Sequence, residues 1–366
     1  MRYPILLIIL LLSTGGCYLS EELPPDQEVW GYEQPGNLGL NENFLLTVND
    51  QIRRGDYENV EGLLVVKDGN IVFENYWQEG SRIKLEGQRR NTSLFATIGI
   101  GILIKEKLLD SLSTPIHLLL PNYQSYFDSE PAKKQITVSH LLSHRSGLIW
   151  DEINVVYDSE LNDLSQMKRS QNWVEYVLEK PLEAPPGLRL TYNTGTSIVL
   201  ARIIENLSGK PVEEFIAEKV FKPLKIKEWY WESGQGVATN LADGLHLSLL
   251  DLTKIGYLYI NGGFWNGREI VPNNYIRNTT RGEVDIRKNI NYASNWWYFS
   301  DEYFFVQSLR ENDLFYFSND IGTGLYVVPH LNMVVTIGAS NYFYGNFNPS
   351  LNLFFNILNS REITLE

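Results

Sequence analysis

The chain has 366 residues, 43% of them hydrophobic, and a formal net charge of −13. A sequence of this length and apolar content can bury a sizeable core, as one large domain or two coupled ones. The acidic balance argues against nucleic acid as a partner and against charge-driven binding to an anionic membrane surface.

The N-terminus reads as a targeting segment. Arg2 supplies a positive start, Ile5 to Leu12 form a short apolar run, and Ser13-Thr14-Gly15-Gly16-Cys17 follows. The run is too short to span a bilayer permanently. Small residues ahead of Cys17 are similar to a bacterial lipobox, where a signal peptidase cuts before the cysteine and the thiol is lipidated. Thr14 stands where Leu is usual, and an ordinary signal peptide with an incidental cysteine is the alternative. Residues 1–16 are expected to be a lipoprotein signal peptide, with Cys17 the lipidated residue of an exported, membrane-anchored protein of the bacterial cell envelope. Cys17 is the one cysteine of the chain, so the folded part is expected to lack disulfides. Residues 17–41 are acidic and carry Pro24, Pro25 and Pro35, the composition of a tether.

Within the folded chain, Phe44 to Arg54 has helical spacing and stops at Gly55. Gly62 to Lys67 and Asn70 to Trp77 flank Asp68-Gly69, a strong local signal for a β-hairpin. Arg90 to Lys107 reads as a central helix, apolar nearly all round, with polar residues crowded at its start. A helix apolar on every face belongs inside a domain. Its N-terminus can set a reactive side chain against free backbone N–H groups.

Further on, Ile136 to Leu148 is expected to be a helix capped by Thr137 and ended by Gly147. Trp173–Leu178, Ser197–Leu207, Val212–Val220 and Leu250–Tyr259 read as helices, with the Leu190 to Gly195 segment presented on a loop after Pro185-Pro186-Gly187. The last eighty or so residues turn to strand character at 296–299, 303–306, 315–317, 324–328 and 333–337, before a final helix near Leu351–Leu358. This order is α+β, a mostly antiparallel sheet flanked by N- and C-terminal helices with a large helical insertion. The expected domain covers 42–360, its α/β part about 42–89 and 285–360 and its mainly helical part about 90–284.

Four phrases in this order carry a resemblance: Ile136 to Leu148, Pro186-Gly187 to Tyr192-Asn193-Thr194, Gly209-Lys210-Pro211 to Phe221-Lys222-Pro223-Leu224, and Gly244 to Gly263. Together they resemble the serine β-lactamase-like family, which comprises class C β-lactamases, D-alanyl-D-alanine carboxypeptidases and related esterases. The resemblance implies the β-lactamase/transpeptidase-like fold. It also implies a cleft in which a Ser-x-x-Lys nucleophile, a Tyr from a second loop and a Lys-Thr-Gly or His-x-Gly strand motif converge. No cofactor and no metal is implied.

The second element is kept as Tyr192 with Thr194 two positions on, a buried structural Tyr being the alternative. The first is changed. Arg90 lies seventeen positions before Lys107, the separation the family keeps between its nucleophile and a Gly near the helix end. The motif then reads Arg90-x-x-Ser93, and Arg is neither a nucleophile nor a base because it stays protonated. A rival register makes Ser93 the nucleophile, followed by Ala96 where Lys is needed. The third element reads Asp320-Ile321-Gly322-Thr323, an anion where the family keeps a cation. The two changes are complementary, and an Arg90–Asp320 ion pair is expected to fill the former centre, the alternative being an Arg90 turned to solvent.

Weaker candidates complete the reading. His140 and His144 have a metal-compatible spacing without a third ligand. Asp151-Glu152 reads as a solvated loop rather than an acid/base pair. Trp296-Trp297 resembles a family strand motif bordering the cleft, strand core being the alternative. Three functions stay open. One is a catalytically impaired homologue that binds a small-molecule, peptide or peptidoglycan-like ligand in its cleft. The second is a working esterase, amidase or peptidase using Ser93 with Tyr192. The third is a structural envelope lipoprotein.

Overall fold

The computed structural model describes residues 30–237, 239–280, 284–287, 290–294, 296–299, 314–319, 321–340 and 349–359. The expected signal peptide, Cys17, the tether up to residue 29, the strand expected at 303–306 and Asp320 lie outside the described residues.

The chain begins with β1 (Gly31–Tyr32), α1 (Glu42–Arg54), β2 (Val60–Lys67), β3 (Asn70–Tyr76), β4 (Glu86–Gly87) and α2 (Leu94–Lys105). A helical stretch follows, with α3 (Gln124–Ser129), α4 (Val138–Leu142), α5 (Asp163–Arg169), α6 (Trp173–Glu179), α7 (Gly195–Ser208) and α8 (Val212–Ile216). Then come β5 (Tyr230–Trp231), β6 (Leu245–Leu247), α9 (Leu249–Ile260), β7 (Phe264–Trp265), β8 (Arg268–Glu269) and α10 (Asn273–Thr279). The chain closes through β9 (Val284–Arg287), β10 (Ile290–Ala293), β11 (Trp296–Phe299), β12 (Phe315–Ser318), β13 (Gly324–Val328), β14 (Met333–Ala339) and α11 (Pro349–Asn359).

Among the described residues, nine strands form one sheet in the order β1-β3-β2-β14-β13-β12-β11-β10-β9. Its pairings are antiparallel, except that β1 runs parallel to β3. The β2–β3 hairpin turns on Asp68 and Gly69, at φ 49° and 77°, the left-handed pair that a tight two-residue turn requires.

The sheet is covered on both faces, which explains why β2 reads as a continuous apolar run rather than an alternation. Leu64 and Val66 pack into the core shared with α2 and α9, whereas Leu63 and Val65 pack into a second core with α1 and α11. The alternation continues on β13, where Leu325 and Val327 face the first core and Tyr326 and Val328 the second. Gly256 of α9 lets that helix lie close on the sheet, since a Cβ there would stand 2.8 Å from side chains of Leu325 and Val334. A helix from the segment expected to be the helical part thus covers the sheet.

Three expectations are corrected. The tether ends earlier than residue 41: Trp30 and Leu40 are buried and β1 adds to the sheet edge, because these apolar side chains find core to bury in. The central helix is α-helical only from Leu94, and Arg89–Ser93 form a 3-10 turn before it. Side-chain bonds hold that turn: the Thr92 hydroxyl accepts from the Leu245 amide at 3.1 Å, and the Asn91 amide donates to the Thr323 carbonyl at 3.2 Å. The third is α4, which is capped by Thr137 as expected but stops at Leu142. His144, at φ 53°, takes the left-handed position, with Arg145 N–H bonded to the His140 carbonyl at 2.7 Å and His144 N–H to that of Leu141 at 3.2 Å. That pattern is a Schellman stop, and Gly147, at φ 81°, belongs to a later turn.

Candidate functional site

Three segments meet where the sequence places its motif residues. The Arg89–Ser93 turn enters α2. The loop after α4 carries Trp150 and Glu152. The loop before α7 carries Tyr192, Asn193 and Thr194.

Glu152 is the centre of the arrangement. It is 4% exposed, so the expectation of a solvated Asp151-Glu152 loop is overturned for Glu152. Its Oε2 accepts from the Trp150 indole at 2.6 Å and from the Thr194 amide at 3.0 Å. Its Oε1 accepts the Thr194 hydroxyl and lies 3.5 Å from Nε of Arg90. Burial pushes the carboxyl above the usual carboxylate range, and the Arg90 charge and these bonds pull it back. No residue spacing announced this acid. A Trp two positions before it was the only local hint of a buried partner.

Arg90 is neither solvent-directed nor deeply enclosed. Its side chain is 22% exposed, and its guanidinium carbon lies 5.9 Å from the centroid of the Tyr192 ring, within reach of a cation–π attraction. Among the described residues it pairs with Glu152. The expected partner, Asp320, lies outside the described residues. Gly322 and Thr323 of the same motif are described: Gly322 has φ 89°, and Asn319 Oδ1 accepts from the Ile321 and Thr323 amides at 3.1 and 2.9 Å. The Asn319 amide also donates to the Gln88 carbonyl at 3.2 Å. The first and third motif segments therefore touch.

Tyr192 is half-buried between aromatic neighbours. The His144 ring centroid is 4.7 Å away, and Trp297 stacks at 6.3 Å with an interplanar angle of 23°. The two residues of the Trp296-Trp297 pair part company, because adjacent strand residues face opposite sides. Trp296 is fully buried between Tyr259 and Phe315, and Trp297 reaches Tyr192. His140 serves its own helix instead, where its Nδ1 accepts the Thr137 amide at 3.2 Å and completes the cap of α4.

Ser93 is 2% exposed, and its hydroxyl donates to the Arg90 carbonyl at 2.9 Å. Thr194, in the family's hydrogen-bonding position, is also buried and gives its hydroxyl to Glu152. Beside this centre lies a pocket of about 430 Å³, walled by Trp150, Ile153 and Leu190 and reaching Glu152 and Tyr192. Among the described residues, no group of three or more His, Cys, Asp or Glu side chains could hold a metal ion. No described helix is long and apolar enough to cross a membrane.

Comparison with known proteins agrees with this fold. The family model described as Beta-lactamase matches residues 59–253, more than half of the chain, and the chain belongs to that family. An N-acetylmuramyl-L-alanine amidase of Bacillus subtilis (strain 168) is 26% identical over 182 residues, 45% of this chain and 41% of the amidase. The match thus spans well under half of that relative's length. Among solved structures, EstCE1, a hydrolase with promiscuous acyltransferase activity, superposes with a TM-score of 0.68 at 13% identity, covering 89% of this chain and 98% of that one. A penicillin-binding protein homologue from Caulobacter crescentus gives a TM-score of 0.67 at 14% identity, covering 88% and 99%. At such identities these likenesses concern the fold.

Proposed function

We propose that this member of the β-lactamase family binds a ligand in its cleft without the family's covalent chemistry. The observation that carries the reading is the Arg90–Glu152 pair: a guanidinium stands where the motif spacing puts the nucleophile, and a buried carboxylate both balances it and occupies the Thr194 hydroxyl. Arg stays protonated and neither attacks nor accepts a proton. Loss of a nucleophile costs on the order of a millionfold in rate.

The register behind this reading has independent support at the far end of α2. Lys107 has φ 59°, with its N–H on the Ile104 carbonyl at 3.1 Å and the Leu108 N–H on the Leu103 carbonyl at 2.9 Å. That is the left-handed stop of a helix, where Gly is the usual residue. The position from which Arg90 is counted therefore has the conformation that the family's Gly would supply.

The ligand fitting this reading is a small molecule or a peptide of peptidoglycan type, entering by the 430 Å³ pocket beside Tyr192. The amidase likeness supports a cell-envelope setting, and a lipid on Cys17 would tether the domain there. The test is intact-mass analysis of the full chain after exposure to a fluorophosphonate and a penicillin, alongside a Ser93→Ala variant. No adduct on either protein is the expected result. An adduct on the native chain that disappears in Ser93→Ala would make Ser93 the nucleophile and overturn the proposal.

A further inference from the structure

A second pocket, of about 390 Å³, shares no lining residue with the one beside the Arg90–Glu152 centre. It is set beside two tight hairpin turns, Asp68-Gly69 between β2 and β3 and Asn266-Gly267 between β7 and β8, whose residues all have positive φ. Its lining is aromatic and amide in character: Trp30, Tyr257 and Phe264, with Asn261 and Asn266. No charged residue contributes to the lining.

The aromatic groups are fixed. Trp30 meets Tyr257 edge-on at 5.7 Å and Trp265 at 6.4 Å, and Tyr257 meets Trp265 at 6.1 Å. Phe264 leaves 38% of its surface exposed. The polar groups are unengaged. The side-chain amides of Asn261 and Asn266 and the hydroxyl of Tyr257 make no hydrogen bond among the described residues. The indole N–H groups of Trp30 and Trp265 are enclosed in the packing behind the lining rather than presented to the pocket.

We propose that this pocket is a subsite for a neutral saccharide. A pyranose presents apolar C–H faces that pack on aromatic rings and equatorial hydroxyls that both donate and accept. Rigid aromatics, with amides that also donate and accept, complement both features. An ionic ligand would find no opposite charge in this lining. A purely apolar one would leave the amides and the Tyr257 hydroxyl dry and unpaired. The volume falls within the roughly 300–1,000 Å³ common for small-molecule sites. The inference stands apart from the reading of the cleft, because none of these residues touches Arg90, Glu152 or Tyr192.

Isothermal titration of the full chain with N-acetylated chito-oligosaccharides and, separately, with cello-oligosaccharides tests it. Saturable binding of either series is expected, weakened roughly tenfold by Phe264→Ala and again by Asn261→Ala. Both residues are exposed, so unchanged melting temperatures would show that the variants fold. Binding of the acetylated series alone would point to a cell-wall type of glycan, and binding of the cello series to an unacetylated one. Absence of saturable binding with both series would overturn the proposal, as would binding that the double variant leaves unchanged. Covalent labelling at Ser93 would leave it intact.

Discussion

Nε of Arg90 lies 3.5 Å from Oε1 of Glu152, and the carboxylate side of this pair has no exposed surface while the guanidinium side is 22% exposed. The asymmetry decides what each truncation does. Arg90→Ala strands a buried carboxylate, and breaking such pairs costs about 3–5 kcal/mol, less here because Arg90 is partly wet: about 2–4 kcal/mol. Glu152→Gln removes the charge that burial penalises and leaves Arg90 able to hydrate, so a smaller loss is expected. The sign of the pH dependence follows from the raised Glu152 carboxyl. A raised acid favours the folded state below its unfolded pKa, and that favour is lost as pH rises through the folded pKa. Without Arg90 the rise is steeper, so the melting temperature of Arg90→Ala should fall furthest behind at alkaline pH. Thermal unfolding of the three proteins across pH checks this, and equal deficits at acid and alkaline pH would contradict it.

If Arg90 occupies the nucleophile's place, the motif can be rewritten. Arg90→Ser with Ser93→Lys restores Ser-x-x-Lys, and adding Glu152→Gln avoids an unpaired carboxylate beneath it. A fluorophosphonate is the suitable probe, because it lacks the carboxylate that an anionic Asp320 would repel. One adduct on the rewritten chain and none on the native one is expected by intact mass. A folded triple variant that stays unlabelled would count against the register.

The fold was legible wherever pattern and burial agree. The β2–β3 hairpin follows from Asp68-Gly69, and α1, α6, α7, α9 and α11 follow from helical spacing, with α1 ending at Gly55 as expected. Short elements such as α5, α10 and β4 to β8 had no comparable signal, since a few residues stabilised by tertiary contacts show no period. The site was half legible. Tyr192 and Arg90 stand in motifs, whereas Glu152 looks like any acidic loop residue until the chain folds Trp150 and Thr194 around it. The 3-10 turn at Arg89–Ser93 was hidden for the same reason, because its hydrogen bonds go to Leu245 and Thr323, far along the chain.

A second buried acid makes a prediction at physiological pH. Glu86 on β4 is 8% exposed and Glu61 on β2 is 7% exposed, with Lys84 paired to Glu61. Desolvation first, and repulsion from Glu61 second, raise Glu86 from 4.5 to about 7, against the opposing pull of Lys84. Because the folded pKa is raised, this group stabilises the fold below about 4.5, and the contribution is lost as pH climbs to about 7. Glu86→Gln should remove that slope and leave the variant relatively more stable at neutral pH than at acid pH. Denaturant unfolding across this window is the measurement, and parallel curves for the two proteins would refute the assignment.

Lys107 supplies the last prediction. It closes α2 in the left-handed region at φ 59°, a conformation that costs an L-residue other than Gly, Asn or Asp roughly 1–2 kcal/mol. Both Schellman bonds are in place around it, so the position is set by the backbone pattern and not by the lysine side chain. Lys107 is exposed, which leaves little packing to lose. Lys107→Gly relieves the steric cost, while the greater freedom of Gly in the unfolded chain takes back part of the gain. A net stabilisation of about 0.5–1 kcal/mol is expected, visible as a higher denaturant midpoint at unchanged slope. Lys107→Ala separates the two causes: it removes the side chain and keeps the Cβ that the left-handed backbone disfavours. If Ala stabilises as much as Gly, the benefit comes from losing the lysine, and the helix end is not strained at this residue.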